Sequence, residues 1–498
     1  MTGFLRQTTM LQRLFLAVLV LLFAGVSVQY SFKAAKGRGA INRWSPQLQQ
    51  LETGEDIHKQ HNYPNPPIMA LMLWPLSELV TYSPLLGALT WYYLKVIMAI
   101  ACFLWVFRLV ETPEKPFPVW AKMLAVGLSI RPILGDLSHG NINIFILFLV
   151  VSSLAAFSRG RDFLAGVLLA LAIASKVTPA LFVGYFLWKR AWKVLLGVGA
   201  GLVLFFLLVP ALFLGWDGNL QSLRSWIEVM ILPFLKGGIV TPEHNNQSLP
   251  GLAARMLTAA PSFSTYIGDI YVPLRYDNIA DIGPKAASLV VKGFMAVFVF
   301  LVVWKCRAPI HDTNAESKKE TESSLSSIPH SAIRIPQLRS RQGWRLAAEY
   351  SLIALGMLLF SERTWKHHCV MLMLPFAVLS YGIAQTDLGR SRRIVLLTLT
   401  LLAIAVMMTS STGIYGEKLD RLQDQASVIG GAIGSAGLFT ATQSGILTDS
   451  PAKLAQVYGA YVWGFFLLIT GLIVQLRHRE PTNVAACVVN DPPLRRAG

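Results

Sequence analysis

Apolar residues fall in long, nearly unbroken runs along this chain, and short basic or Pro-rich interruptions separate them. The first run, Leu14 to Val28, follows the basic segment MTGFLRQTTMLQR. Alone it would pass for a secretory signal, but the many runs that follow predict an uncleaved first membrane helix. A stretch at 67–80 is short and interrupted by Pro75, so it predicts a helix lying against the membrane or dipping into it. A long run at 85–107 ends at Arg108. Further runs occupy 119–137, 142–157, 163–175, 177–188, 194–214, 286–304, 346–361, 369–384, 393–412 and 454–476. A helical crossing takes about 20 residues, so the pattern predicts an all-α membrane protein, a polytopic bundle of about 12 transmembrane helices. The runs 163–175 and 177–188 are too short to cross separately. They predict a broken hairpin turning at Ser175-Lys176-Val177-Thr178-Pro179, an irregularity tolerated where backbone lines a cavity.

Composition sharpens the class. The 498 residues are 54% hydrophobic and 14% charged, with a mean hydropathy of +0.51. Soluble domains carry roughly 25% charged residues, so lipid is the expected solvent. The formal charge of +17 sits largely in short loops such as RGRD at 159–162 and KRAWK at 189–193. These loops fall on the cytoplasmic side only if 67–80 does not cross, which is what the positive-inside bias favours. Both termini then lie in the cytoplasm, RHR at 477–479 agreeing. No basic stripe lies on a soluble-looking domain, so nucleic-acid binding is not expected.

The segments 33–66, 215–285 and 413–453 become outside loops. Residues 305–345 become a cytoplasmic linker around NAESKKETESSLSS, whose composition is that of a flexible segment. The chain thus divides into an N-terminal membrane module (1–304), this linker, and C-terminal helices with a tail (346–498). Of four cysteines, Cys102, Cys306 and Cys487 fall in spans or on the cytoplasmic side and Cys369 at the outer edge of a span, which implies no external disulfide framework.

Titratable and polar residues collect on the outer side. The first loop holds Glu52, Glu55, Asp56, His58 and His61 before NYPNPP, a cluster that fits either a general base beside a stiff turn or a solvated acidic surface. SIRPILGDLSHGNINIF carries Arg131, Asp136, His139, Asn141 and Asn143 at the outer end of a span. Ionisable groups at that depth face a cavity or a partner, and Arg131 suits either an ion pair with Asp136 or a phosphate contact. Lys176 fits a snorkelling role or a phosphate contact inside a cavity. EHNNQSLPG brings Asn246 and Gln247, donors suited to sugar hydroxyls and also common in turns. SERTWKHHCVMLMLP packs Glu362, Arg363, Lys366, His367 and His368 against the next apolar run. Neighbouring histidines point to different helix faces, so the pair predicts a proton shuttle or phosphate partner rather than a metal site.

In this order, NYPNPPIMALMLWPL (62–76), HGNINIFIL (139–147), RGRDFLAGVLLALAIASKVTPALFVGYFLWKRAWK (159–193), NNQSLPG (245–251) and SERTWKHHCVMLMLP (361–375) resemble glycosyltransferase family 87, the polyprenol-phosphate-dependent mannosyltransferases. The resemblance covers roughly residues 10–410. It implies a GT-C bundle with extracytoplasmic loops, an active site on the outer face of a bacterial plasma membrane, a polyprenyl-phosphate sugar donor and a lipid or glycan acceptor. It implies inverting transfer of a sugar, mannose being commonest, with Arg131, Lys176, Arg363 and Lys366 as candidates for the donor phosphate. Asp136, His139, Asn141, Asn143, Asn246 and Gln247 are further substrate-binding candidates. No cofactor is indicated; a divalent metal is conceivable without being called for.

Family members carry an acidic residue early in the first outside loop. Here GRGAINRWSPQLQQL contains none before Glu52. Asp56 is the favoured replacement base, with Glu55 or Glu52 as substitutes, and His367 or His368 assists proton transfer or contacts the phosphate. A transporter of lipid-linked sugars and a scaffold without catalysis remain as alternatives.

Overall fold

The computed structural model describes residues 9–51, 54–267, 270–307, 341–411 and 450–477. It is a helical bundle in which every expected apolar run lies in a helix. Among the described residues, six helices are long and apolar enough to cross a membrane: Met10–Ala35, Pro84–Val110, Trp192–Leu214, Gly283–Lys305, Lys366–Ala384 and Arg390–Thr409. Helices Pro451–Val457 and Ala460–Leu476, bent by 62°, would together make a seventh.

The expected dozen is therefore not confirmed helix for helix, and the apolar helices Asn143–Ser158, Asp162–Ser175 and Thr178–Trp188 are shorter than a full crossing. Asn143–Ser158 and Trp344–Leu359 are 16 residues each and almost wholly buried. A short helix covered by protein on all sides is apolar because of its neighbours rather than because of lipid. Run length alone does not separate the two cases. The bundle also departs from an all-α reading. In the 215–285 segment, β1 (Phe263–Ile267) pairs antiparallel with β2 (Ile270–Arg275), a stretch rich in β-branched and aromatic residues. The expected division of the chain does not produce separate cores, since helices from 344–384 pack into the same core as those from 84–158.

The break near Lys176 has a local cause. Pro179 lacks an N–H, and its ring would meet the carbonyl four residues earlier, so the helix Asp162–Ser175 cannot run through it. Lys176 is extended (φ −160°, ψ 125°), and a 3-10 turn at Thr178–Ala180 leads into helix Leu181–Trp188. The chain then returns as Trp192–Leu202, which packs side by side with Asp162–Ser175. Gly166 faces Gly197, and farther along both helices Ala170 faces Gly201. The two helices therefore run parallel, so RGRD and KRAWK lie at the same end of the bundle, as the charge pattern predicts.

That end is tied together by ion pairs. Lys189 meets Glu349 at 2.7 Å with both almost fully buried, and Tyr185 donates to the same carboxylate at 2.8 Å. Arg341 pairs with Asp162 beside it.

The contact at Gly166 and Gly197 is backbone against backbone. A Cβ on Gly166 would lie 2.1 Å from the Val194 carbonyl oxygen, and one on Gly197 2.2 Å from that of Phe163. Small residues permit this approach between membrane helices. Gly197→Leu is expected to destabilise the bundle by at least the upper end of the roughly 1–3 kcal/mol of an overpacked core. A thermal melt in detergent checks this; an unchanged melting temperature contradicts the packing.

Candidate active site

The site begins where helix Val119–His139 ends. Gly140 closes it in the left-handed region (φ 68°), its N–H bonding the carbonyls of Asp136 and Leu137. Only glycine fits, because a Cβ would sit 2.3 Å from the Tyr30 hydroxyl. Three residues later helix Asn143–Ser158 starts. Asp136 reaches across the turn: its Oδ1 accepts from Asn143 Nδ2 at 2.9 Å and its Oδ2 from the Ile144 N–H at 3.3 Å. A carboxylate at a helix N-terminus satisfies orphan donors and complements the helix dipole.

Lys95, from Pro84–Val110, completes the turn. Its Nζ donates to the Asp136 carbonyl (2.9 Å), the Asn141 carbonyl (3.0 Å) and Asp136 Oδ2 (3.4 Å). Both side chains are 0% exposed. Burying two charges is costly, and this pair is tolerable because each finds further polar partners. Trp91, one turn away, donates from Nε1 to the Gly140 carbonyl at 2.9 Å.

The turn projects the functional groups. Asn143 Oδ1 accepts from Lys176 Nζ at 2.8 Å. Asn141 Oδ1 accepts from the Ile142 N–H, which orients the amide so that Nδ2 donates to His367 Nε2 at 3.1 Å. His139 stacks on His367 with ring centroids 4.6 Å apart. His367 and His368 stand perpendicular, 4.7 Å apart, as neighbours on the 3-10 turn Lys366–Leu372 do. Trp365 packs against both rings. His368 also lines a narrow pocket of about 20 Å³, room for about one water, whose other walls include Lys176, Asn143, Arg363, Ser361 and Thr364.

Seven sequence candidates thus converge: Asp136, His139, Asn141, Asn143, Lys176, His367 and His368, with Arg363 at the pocket edge. Others have different positions. Arg131 makes no ion pair with Asp136, which Lys95 holds instead; it donates to Met408 Sδ and Ser411 Oγ. Lys366 donates to the Ser410 carbonyl, so both cations clasp the end of helix Arg390–Thr409. Asn246 and Gln247 are fully buried and engaged with the surrounding chain. Asn246 Nδ2 donates to the carbonyls of Thr241 and Glu362, and Gln247 Nε2 to those of His244 and Gln456. These bonds hold the 241–248 loop against the 361–364 segment.

Asp56 caps the short helix Ile57–His61, its Oδ1 accepting from the N–H groups of His58 and Lys59 at 3.1 Å each. Partial burial pushes its carboxyl up, but hydrogen bonds from Ser225 and these two N–H groups outweigh that and hold it below the usual carboxylate range. Glu55 is exposed beside it. No hydrogen bond or ion pair among the described residues links either carboxylate to the histidines, and Glu52 lies outside the described residues. Cys102, Cys306 and Cys369 are buried free thiols; Cys487 lies outside the described residues.

Two organising residues escape the sequence reading. Lys95 had a signal, as the lone charge within the 85–107 run, and intramembrane charges point to function by default. Arg255 had none. Fully buried, its guanidinium donates to five backbone carbonyls, those of Pro242, Glu243, Asn246, Gln456 and Val457. Beside it His244 stacks on Phe263 at 4.2 Å. Burial, then the charges of Lys453 and Arg255, push that ring well below the usual histidine range.

Comparison with known proteins gives the family. Glycosyltransferase family 87 matches residues 63–319, just over half of the chain. The chain belongs to glycosyltransferase family 87. The family 87 match includes Lys95, the 136–143 turn, Lys176 and the Asn246-Gln247 loop; the histidine pair follows it in sequence and joins it in space.

Two relatives are polyprenol-phosphate-mannose-dependent alpha-(1-2)-phosphatidylinositol mannoside mannosyltransferases. The one from Mycobacterium tuberculosis is 35% identical over 86 residues, 17% of this chain and 20% of its own length. The one from Mycolicibacterium smegmatis is 28% identical over 214 residues, 41% of this chain and 46% of its own length. The chain therefore spans less than half the length of each.

Removing one partner of a buried ion pair costs about 3–5 kcal/mol, because the other charge is left stranded. Lys95→Met is expected to lose about that much stability, and Lys95→Met/Asp136→Asn less than Lys95→Met alone. Melting curves of the three proteins check this; a neutral Lys95→Met would show that the pair does not hold the turn.

Proposed function

We propose that the protein transfers mannose from a polyprenyl-phosphate donor to a hydroxyl of a lipid-linked mannoside, with inversion, at the outer face of a bacterial plasma membrane. The observation that carries this reading is the pocket where Lys176, Arg363 and His368 converge beside the Asn143 amide. Cations and neutral donors gathered at one end of a helical bundle suit a phosphodiester whose lipid tail runs down into the membrane. A guanidinium and an ammonium stabilise the charge that develops on the departing polyprenyl phosphate, so the reading assigns the phosphate to side chains and calls for no metal.

Membership of family 87 supports glycosyl transfer, and the names of the two relatives support mannose and the polyprenol phosphate. The outer face follows from the charge pattern, which puts the RGRD end inside and the histidine end outside. The Trp365 indole N–H, buried against the histidines, has no hydrogen-bond partner among the described residues. In this reading it donates to a sugar hydroxyl. Asp136 and Lys95 are positioning residues, since both are buried and spent on the turn that presents Asn141 and Asn143.

The test is transfer of labelled mannose by protein in nanodiscs, from polyprenyl-phospho-mannose to a phosphatidylinositol mannoside. Wild type is expected to transfer. Lys176→Ala is expected to raise the donor KM roughly 10–100-fold, as expected for loss of a charge-assisted contact worth about 1.5–3 kcal/mol. Lys176→Ala with an unchanged donor KM would remove the phosphate from this pocket, and no transfer by wild type would overturn the reading.

A further inference from the structure

The reaction proposed above needs a group to take the acceptor's proton, and this inference rests on that reading. The carboxylates near the histidines are committed. Asp136 is 0% exposed, with both oxygens bonded and Lys95 against it. Glu362 gives Oε1 to the Thr241 N–H and hydroxyl, and its Oε2 faces Arg363. Asp56 caps its own helix and bonds Ser225.

The histidines differ from one another. His367 Nε2 accepts from Asn141, whose amide orientation is fixed by the Ile142 N–H. His139 is the reverse case. Its Nδ1 lies 2.8 Å from the Gly135 carbonyl oxygen, which can only accept, so Nδ1 carries the proton. Ser138 donates its own hydroxyl to the same carbonyl, leaving its oxygen to accept from Nδ1 at 3.4 Å. Nε2 of His139 is then a lone pair with no partner among the described residues, on an exposed ring. A histidine anchored through Nδ1–H with Nε2 free is set up to take a proton.

We infer that His139 Nε2 is the general base, in place of the early acidic residue that the first outer loop lacks before Glu52. In the transfer step an acceptor hydroxyl gives its proton to Nε2, and its oxygen bonds to the anomeric carbon. The bond from that carbon to the phosphate oxygen breaks, and the electron pair leaves with the polyprenyl phosphate toward Lys176. The proton on His139 passes to solvent. Two ring spacings, 4.6 Å to His367 and 4.7 Å on to His368, separate the base from the phosphate pocket. Inversion then requires the sugar to span this distance, with the acceptor on the His139 side and the phosphate on the His368 side.

The groups facing His139 are Lys33 and Tyr30 from the first helix, Lys95 from Pro84–Val110 and Asp136 from its own helix. His367 faces it from the 3-10 turn, and Lys176 and Arg43 of Ala40–Gln49 lie within electrostatic reach of His367.

The test is the pH dependence of kcat and kcat/KM for wild type, His139→Gln, His139→Ala and Asp56→Asn, with polyprenyl-phospho-mannose and a phosphatidylinositol mannoside in nanodiscs. Wild type is expected to lose rate on the acid side through a single histidine-like limb. His139→Gln, which removes the imidazole and keeps a neutral polar side chain, is expected to lose about 10²–10⁴-fold in kcat, with donor KM within threefold and no acid limb. Added imidazole is expected to restore part of the rate to His139→Ala. Either His139 variant with wild-type kcat, or one that keeps the acid limb, overturns the inference. So does an Asp56→Asn protein that loses transfer while His139→Gln retains it. No transfer by wild type overturns the underlying reading instead, and the base falls with it.

Discussion

The site depends on the buried pair of Lys95 and Asp136. Neither charge reaches solvent, so each must be satisfied within the protein. Asp136 spends its oxygens on the first residues of the following helix, and Lys95 spends its protons on the two carbonyls that flank the turn. Together they lock residues 136–144 into one shape. That shape aims Asn143 at Lys176 and Asn141 at His367. Without the lock, a glycine-containing turn between two helices would leave these amides free to rotate. The polar network is thus a frame, and its members nearest the pocket and the exposed ring of His139 are what a substrate meets.

A second frame holds the outer loops. Arg255 gathers five carbonyls from two separate stretches of chain, and Asn246 ties the same loop to the segment just before the histidine pair. At the other end of the bundle, the Lys189–Glu349 pair and the close glycine contact fix the helices below the Lys176 break. Ion pairs at both ends of an otherwise apolar bundle restrict how its helices slide, which keeps Lys176 and His368 on one pocket.

Much of this was legible in the sequence. Run length and positive charge located the helices, and Pro179 located the break, because a missing N–H is a local fact. The residues of SIRPILGDLSHGNINIF, SKVTP and the His-His segment were legible as site candidates because polar groups amid apolar runs require partners. Their partners were not. Arg131 and Asp136 share a helix, yet Lys95 of a different helix takes the carboxylate, and only the three-dimensional packing brings it there. Asn246 and Gln247 show the converse. Their composition suits sugar binding, but their burial and backbone partners were not legible, because burial of loop residues follows from neighbours distant in sequence. The number of true spans was illegible for the same reason, since apolar helices sheathed by protein and by lipid share one composition. The family resemblance gave the donor chemistry but also suggested a carboxylate base, and at His139 the local hydrogen bonds point elsewhere.

The most direct test of the account is a structure of the protein in nanodiscs with a non-transferable polyprenyl-phospho-mannose analogue bound. The account predicts the phosphate within hydrogen-bond distance of Lys176 and His368, with the sugar lying toward His139. A phosphate seated away from Lys176, for example in the cavity between Arg108 and Arg159 at the opposite end of helix Pro84–Val110, would contradict it.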